Sequence, residues 1–249
     1  MSSQIGCSMR CSFCATGAMG LKRSLTSDEI VDQYRFWKYF LAQRPSLPQR
    51  ISNIVFMGMG EPLANYDVIK QTIHTWFKYT DLGPTKITVS TVGILPRLEK
   101  LLEDPDWPSV RIAISLHSAN EVKRKEIVPT SVPDFLTRLA KWTHDYDKRY
   151  GNRRHWITFE FILINGVNDS DEHAEELARY VKKTAARKIN IIPYNPVKGK
   201  VFERSQEKNI DHFKSVLRSH GIDVTQRKTM GDDIAAACGQ LAVEQAKAE

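Results

Sequence analysis

The chain has 249 residues, of which 41% are hydrophobic and 26% are charged, a composition typical of a folded domain and not of a disordered chain. Lysine and arginine number 36 against 29 acidic residues, so the formal net charge of +7 favours contact with polyanions such as nucleic acids. No apolar run reaches the roughly 20 residues of a membrane span, and the first residues lack the charged and apolar regions of a signal peptide. We therefore expect a cytoplasmic protein with one main domain, no membrane contact and a monomeric state.

The hydrophobic pattern predicts helices that alternate with strands along the whole chain. A capping box from Thr26 to Glu29 begins the first predicted helix, at residues 26–44. Short apolar runs predict strands at 51–59, 86–90, 111–116, 156–164 and 188–192, and helical spacing predicts further helices at 67–79, 135–150, 171–183 and 208–220. This order predicts an α/β fold with a parallel sheet, either doubly wound or closing toward a barrel.

Polar residues follow four of the predicted strands where each strand ends. They are Gly60-Glu61, Ser90-Thr91, Ser115-Leu116-His117 and Tyr194-Asn195-Pro196. Each group alone is well explained as a helix cap, a core histidine or a turn. Their recurrence at four strand ends favours a functional site, since parallel α/β folds carry their sites at the carboxyl ends of the strands.

Three of the four cysteines, Cys7, Cys11 and Cys14, lie close together with the spacing C-x3-C-x2-C. In a chain without secretion signals this pattern indicates a metal site and not disulfides. Three neighbouring thiolates can bind one face of an iron–sulfur cubane and leave one iron open to a further ligand. The alternative is zinc, but a structural zinc site needs four ligands, and no second cysteine pair follows.

Several motifs together make the chain similar to the RlmN/Cfr family of radical S-adenosylmethionine RNA methyltransferases. They are the cysteine motif, Gly60-Glu61-Pro62, and the stretches 2–7, 11–17, 56–63, 113–117, 189–196 and 231–241. The resemblance covers essentially the whole chain and implies a partial (βα)6 barrel. It also implies a [4Fe–4S] cluster, S-adenosylmethionine and an electron donor such as flavodoxin. The implied reaction adds a methyl group to C2 of an adenine in 23S rRNA and of an adenine beside the anticodon of certain tRNAs.

The resemblance also implies roles for individual residues. Gly60 and Glu61 would hold the amino group of S-adenosylmethionine, and further residues would line the cofactor pocket, namely Ser90, Ser115, Leu116, His117 and Asn195. Cys238 would accept a methyl group from one molecule of S-adenosylmethionine. This methyl group would lose a hydrogen to a 5′-deoxyadenosyl radical made from a second molecule, and the resulting methylene radical would add to the base. Without the resemblance, Cys238 in a run of small residues would be read as a packing cysteine.

The chain departs from the family pattern in its N-terminal part. The family carries an accessory RNA-contacting domain and a first barrel strand, neither of which is found here. That strand holds a second cysteine, seven residues before the first cluster ligand, which releases the product by forming a disulfide with the carrier cysteine. Its position would fall directly before Met1, so we expect a truncated chain. We divide it into a radical SAM core at residues 1–222 and a C-terminal extension at residues 223–249, which carries the methyl-carrier cysteine.

Two other functions remain open. The first is the related methylation at adenine C8, which uses the same cluster and cysteines. The sequence Gly231-Asp232-Asp233-Ile234 favours methylation at C2. The second is a non-catalytic iron–sulfur or zinc module that binds RNA through its basic surface. Glu61 and Cys238 argue against that module, because binding alone requires neither residue.

Overall fold

The computed structural model describes residues 1–152, 154–228, 231 and 238–242. Its centre is a six-stranded parallel sheet with the order β3-β4-β5-β6-β7-β8. The strands are β3 (Ile54–Phe56), β4 (Ile87–Thr91), β5 (Arg111–Ser115), β6 (Ile157–Leu163), β7 (Lys188–Pro193) and β8 (Val224–Gln226). The predicted α/β class with a parallel sheet is confirmed. Each strand lies beside its neighbour in the sequence, as expected for a sheet built by successive helical crossovers.

Helices connect the strands. They are α2 (Ser27–Ala42), α3 (Tyr66–Tyr79), α4 (Leu95–Glu103), α5 (Glu121–Ile127), α6 (Phe135–Tyr150), α7 (Asp171–Val181) and α8 (Glu207–Ser219). Both halves of the predicted capping box are present at the start of α2, where Thr26 and Glu29 each bind the other's backbone amide. The sequence prediction missed α4 and α5. Both are short, and the start of α4 is marked by Pro96 and not by a side-chain cap.

A small antiparallel hairpin precedes the sheet. It consists of β1 (Gln4–Gly6) and β2 (Leu21–Ser24), with the short helix α1 (Ala15–Ala18) between them. Neither strand was predicted. Residues 1–3 precede β1 and run beside the residues that follow β3. The amide of Ser3 donates to the carbonyl of Met59, and the amide of Gly58 donates to the carbonyl of Met1. The strand predicted at 51–59 is therefore only three residues long, because its last residues bind this segment and not β4.

The main hydrophobic core lies between the sheet and the helices. In β6, Phe159, Phe161 and Leu163 belong to this core, while Glu160 and Ile162 point to the opposite face. This alternation follows from the two-residue repeat of a strand. The face away from the helices therefore carries the polar side chains and forms the wall of the site described below.

Two further observations bear on the sequence predictions. Strand β8 begins two residues after the predicted boundary at 222 and pairs with β7, so the last strand of the sheet lies in the segment assigned to the extension. Among the described helices, none combines the length and the apolar character that crossing a membrane would require.

Candidate functional site

The three cysteines of the motif lie in the turn between β1 and α1. Cys7 and Cys11 are buried, and Cys14 is half-buried at the start of α1. The turn is closed by backbone hydrogen bonds from Cys7 to Gly20 and from Cys14 to Cys11, both 3.1 Å long. Gly6 has a φ of +76°, and a side chain there would collide with the carbonyl of Gly20. A left-handed glycine at this position thus lets the end of β1 approach the start of β2 closely, at the two ends of the segment that carries the cysteine loop and α1.

The cysteine loop faces the carboxyl ends of the strands across an open cavity of about 820 Å³, including the part open to solvent. The cavity brings together most of the residues expected at the site. Of these it is lined by Cys7, Cys11, Cys14, Gly60, Glu61, Ser90, Ser115, His117 and Cys238. These residues come from positions 7 to 238 of the chain, so only the tertiary fold unites them. Two expected residues, Leu116 and Asn195, are not part of the lining.

Glu61 is almost fully buried and binds the backbone of two neighbouring segments. Its carboxylate accepts hydrogen bonds of 2.9 Å from the amides of Leu63 and Val92, and its own amide donates to Gln4. Burial raises the pKa of Glu61, while these hydrogen bonds oppose the rise. Gly60 beside it has a φ of +96°, and a Cβ there would lie 2.6 Å from the side chain of Gln4. The Gly-Glu pair therefore joins the end of β3 to both the hairpin and β4.

The end of β5 supplies Ser115 and His117 to the cavity. His117 has a φ of +61°, and its Nδ1 accepts a hydrogen bond of 3.1 Å from the amide of Ile162. This contact places the proton of the neutral ring on Nε2. Burial, aided by the charge of Arg124, lowers the pKa of His117 to about 3. Leu116 between them is fully buried in the main core, so its side chain points away from the cavity.

Cys238 reaches the cavity from the far end of the chain and is solvent-exposed. The segment that carries it is held through its backbone. Asn195 donates a hydrogen bond of 3.2 Å to the carbonyl of Cys238, the amide of Ala15 donates to Gly239, and the hydroxyl of Thr16 donates to Leu241. Although the residue is exposed, neighbouring protein atoms partly shield the sulfur from water, and this desolvation raises the pKa of Cys238 to about 11. The charge of Arg227 opposes the rise. Asn195 thus positions this segment from the end of β7.

The sequence reasoning missed Glu160, which lies on the floor of the cavity. It is 2% exposed, and its carboxylate accepts hydrogen bonds from Asn190 at 2.7 Å and from Arg227 at 3.4 Å. Burial raises its pKa, and Arg227 opposes the rise. A glutamate inside the apolar run of β6 is the signal that could have revealed it, because a buried carboxylate needs specific partners.

The cysteines are all free thiols among the described residues, so the disulfide implied by the resemblance is not present. Within the same residues, no three metal-binding side chains are arranged to hold an ion as they stand. The donor set nevertheless fits an iron–sulfur cluster with one open iron: three thiols face one roomy cavity, and no fourth cysteine is near in sequence. Burial raises the pKa of Cys7 to about 11 and raises that of Cys11 as well, so bound iron would have to stabilise the thiolates.

Comparisons with known proteins agree with this chemistry. The family model of the radical SAM superfamily matches residues 1–181. A probable dual-specificity RNA methyltransferase RlmN from Microcystis aeruginosa is 40% identical over 97% of this chain and 68% of that protein. The chain belongs to the RlmN family of radical SAM enzymes. Membership implies both the [4Fe–4S] cluster and S-adenosylmethionine as cofactors.

Other relatives support the same family. Ribosomal RNA large subunit methyltransferase N from Nitrosopumilus maritimus is 44% identical over 97% of this chain and 66% of its own length. The chain therefore spans about two thirds of the length of the curated relatives that it matches. A radical SAM methyltransferase from Sphaerobacter thermophilus has the same fold, with a TM-score of 0.85 and 38% identity over 96% of this chain and 68% of that one.

A more distant structure shares the fold alone. Streptococcus suis SuiB bound to S-adenosylmethionine aligns with a TM-score of 0.62 at 12% identity, over 91% of this chain and 49% of that one. Together these structures confirm the predicted partial barrel of the radical SAM type.

Proposed function

We propose that this chain forms the radical SAM core of an RNA methyltransferase that methylates C2 of an adenine in 23S rRNA, and of an adenine beside the anticodon in tRNA. The observation that carries the proposal is that Cys238 lines the same cavity as Cys7, Cys11, Cys14 and Glu61. A methyl-carrying sulfur has to reach both the cofactor and the base, and this cavity is where the two could meet. The names of the relatives support the RNA substrate.

The residues of the cavity divide the work in this proposal. Cys7, Cys11 and Cys14 would hold the cluster, and Gly60 and Glu61 would hold the amino group of S-adenosylmethionine. Ser90, Ser115 and His117 would contact the rest of the cofactor, with Leu116 and Asn195 acting through their neighbours. When bound, these cofactors supply the methyl group and the radical chemistry that an electron-poor aromatic carbon requires.

Cys238 would carry the methyl group before it reaches the base. Its exposure on the cavity side and the backbone contacts of its segment support this role, since a carrier has to be both accessible and held in place. The chain has four cysteines, three in the loop and this one, so the release cysteine of the family is not among them. In this proposal an electron donor such as flavodoxin reduces the cluster, and the basic surface of the protein contacts RNA.

The test is to express the protein with its cluster intact, without oxygen, and to map methyl groups by peptide mass spectrometry. We expect one extra methyl group on Cys238 and none on the loop cysteines. With RNA, S-adenosylmethionine and a reductant, C2 of adenine should become linked to the sulfur of Cys238 through the methylene carbon, with little free 2-methyladenosine because the release cysteine is not in the chain. Cys238→Ala is the matched control and should lose both signals while it keeps its iron.

The same measurement separates the alternatives. Methylation at C8 of adenine would give 8-methyladenosine, which differs in retention time and fragmentation, and would replace the C2 proposal. An unmodified Cys238 in a protein that binds RNA but never cleaves S-adenosylmethionine would instead favour the non-catalytic module. Zinc in place of iron in the anaerobic preparation would also favour that module.

A further inference from the structure

Arg124 is a charged residue that the proposed reaction does not use, although it is only 1% exposed. It lies on α5 and its guanidinium binds three segments. Nε donates to the carbonyl of Leu116 at 3.1 Å, Nη2 to that of Val92 at 2.6 Å, and Nη1 to the hydroxyl of Ser131 at 2.5 Å. The guanidinium also stacks over the ring of Phe135 at 3.5 Å. Arg124 thus clamps the ends of β4 and β5, which form one wall of the cavity.

This cation has no carboxylate partner among the ion pairs that the described residues form. Both acidic residues of the same helix bind elsewhere: Glu121 accepts a hydrogen bond of 2.7 Å from the amide of Leu136, and Glu126 pairs with Lys123 at 2.6 Å. A buried guanidinium without a counter-ion is unfavourable, and carbonyl oxygens and an aromatic ring offset only part of that penalty. The arrangement suggests that the compensating negative charge belongs to a group bound nearby.

The cysteine loop is bound to the helix that carries this cation. The amide and the hydroxyl of Ser12, which lies between Cys11 and Cys14, both donate to the carbonyl of Ile127, at 2.9 and 3.2 Å. Ile127 is the last residue of α5, the helix that carries Arg124. Val92, whose carbonyl binds Arg124, lines the same cavity as the cysteines of the loop. One short helix therefore joins the buried cation to the cluster loop.

On the basis of the proposed function, we propose that Arg124 is a positioning residue whose fixed charge offsets the negative charge of the iron–sulfur site and so raises the reduction potential of the cluster. Three thiolates make the site anionic, and the electron that it accepts adds one more negative charge. A cation that is buried cannot be screened by water, so it stabilises the reduced state more strongly than a surface charge would.

The sharpest test leaves Arg124 in place and neutralises it. Ser131 contacts Nη1 and lines a second cavity of about 840 Å³, including the part open to solvent, which gives a larger side chain room. Ser131→Asp would place a carboxylate against the guanidinium, and Ser131→Asn is the neutral control of the same size. In redox titrations of the cluster-loaded protein followed by electron paramagnetic resonance, the Asp variant should have a more negative potential than the Asn variant. The Asn variant should stay close to wild type.

Arg124→Gln should shift the potential in the same direction, and Arg124→Lys, which keeps the charge, should shift it less. The matched control is Arg138→Gln, which should not shift it. Arg138 lines the same second cavity, but its side chain is 47% exposed and pairs with Glu99 at 2.5 Å. A purely structural Arg124 would lower stability in these variants without moving the potential.

Equal potentials in the Asp and Asn variants of Ser131 would overturn the inference, even if Arg124→Gln fails to fold. The result is separable from the proposed function. If wild-type protein binds no iron–sulfur cluster at all, the proposed function and the inference fall together. If it binds the cluster and the potentials do not differ, only the role of Arg124 falls.

Discussion

Two regions bring cysteines to the same cavity, and they are held in different ways. The cysteine loop lies between β1 and α1, buries Cys7 and Cys11, and is closed by local hydrogen bonds, with one further anchor from Ser12 to Ile127. The segment with Cys238 is exposed and is held by contacts between its carbonyls and distant residues, such as Thr16 and Asn195. The comparison shows that the loop is a largely buried ligand set, whereas the segment is held through its backbone and leaves its sulfur accessible.

The largest effect should come from removing a cysteine of the loop. Cys11→Ala should abolish cluster binding, because two thiolates cannot hold the cubane in place of three. Iron and sulfide content and the charge-transfer absorbance of anaerobically reconstituted protein measure this. Cys238→Ala should bind iron like wild type, since the comparison assigns it no ligand role. Full iron content in the Cys11 variant would remove this cysteine from the site.

The region around the cysteine loop also depends on Gly60, which packs the end of β3 against the hairpin. Gly60→Ala should lower the free energy of unfolding by about 3 kcal/mol, because it combines a left-handed backbone with a steric clash against Gln4. Gly166→Ala is the matched control: its φ is +66° and the space around it is open, so it should cost about 1 kcal/mol. Denaturant titrations of both variants measure the difference, and equal losses would show that the clash is relieved.

The buried side chain of His117, at the end of β5, should make the stability of the protein depend on pH. Its pKa of about 3 in the folded protein lies below the ordinary 6.5, so the unfolded chain takes up the proton first. Stability is therefore complete above pH 6.5 and falls as the pH drops toward 3, by about 2 kcal/mol between pH 7 and pH 5. His117→Asn, which tolerates the left-handed backbone, should flatten this part of the curve. An unchanged slope in that variant would assign the loss to other groups.

The smallest effect should come from loosening the segment with Cys238. Thr16→Val removes the hydroxyl that binds the carbonyl of Leu241 but keeps the shape of the side chain. The lost hydrogen bond should lower the free energy of unfolding by about 1 kcal/mol, as read by denaturant titration. Thr16→Ser keeps the hydroxyl and should unfold like wild type. If Thr16→Val also unfolds like wild type, the segment is held by its other contacts.

Much of the fold follows from local patterns. The helices α2, α3, α6, α7 and α8 were predicted within a few residues, because each has an amphipathic repeat that is readable without tertiary information. The spacing of Cys7, Cys11 and Cys14 likewise indicates a metal site by itself, since three ligands in one turn need no distant partner. The hairpin β1–β2 and the strand β8 were missed, because such short strands exist only through the partners that they pair with.

The composition of the site was decided by the tertiary structure. Leu116 and Asn195 belong to strand ends that the sequence marks, yet one side chain faces the core and the other binds the segment of Cys238. Glu160 reaches the cavity because β6 turns that residue away from the helices, and Arg124 reaches the cluster loop through α5. A sequence pattern shows that a residue lies at a strand end. The direction of its side chain depends on the packing of the whole sheet, which no local pattern contains.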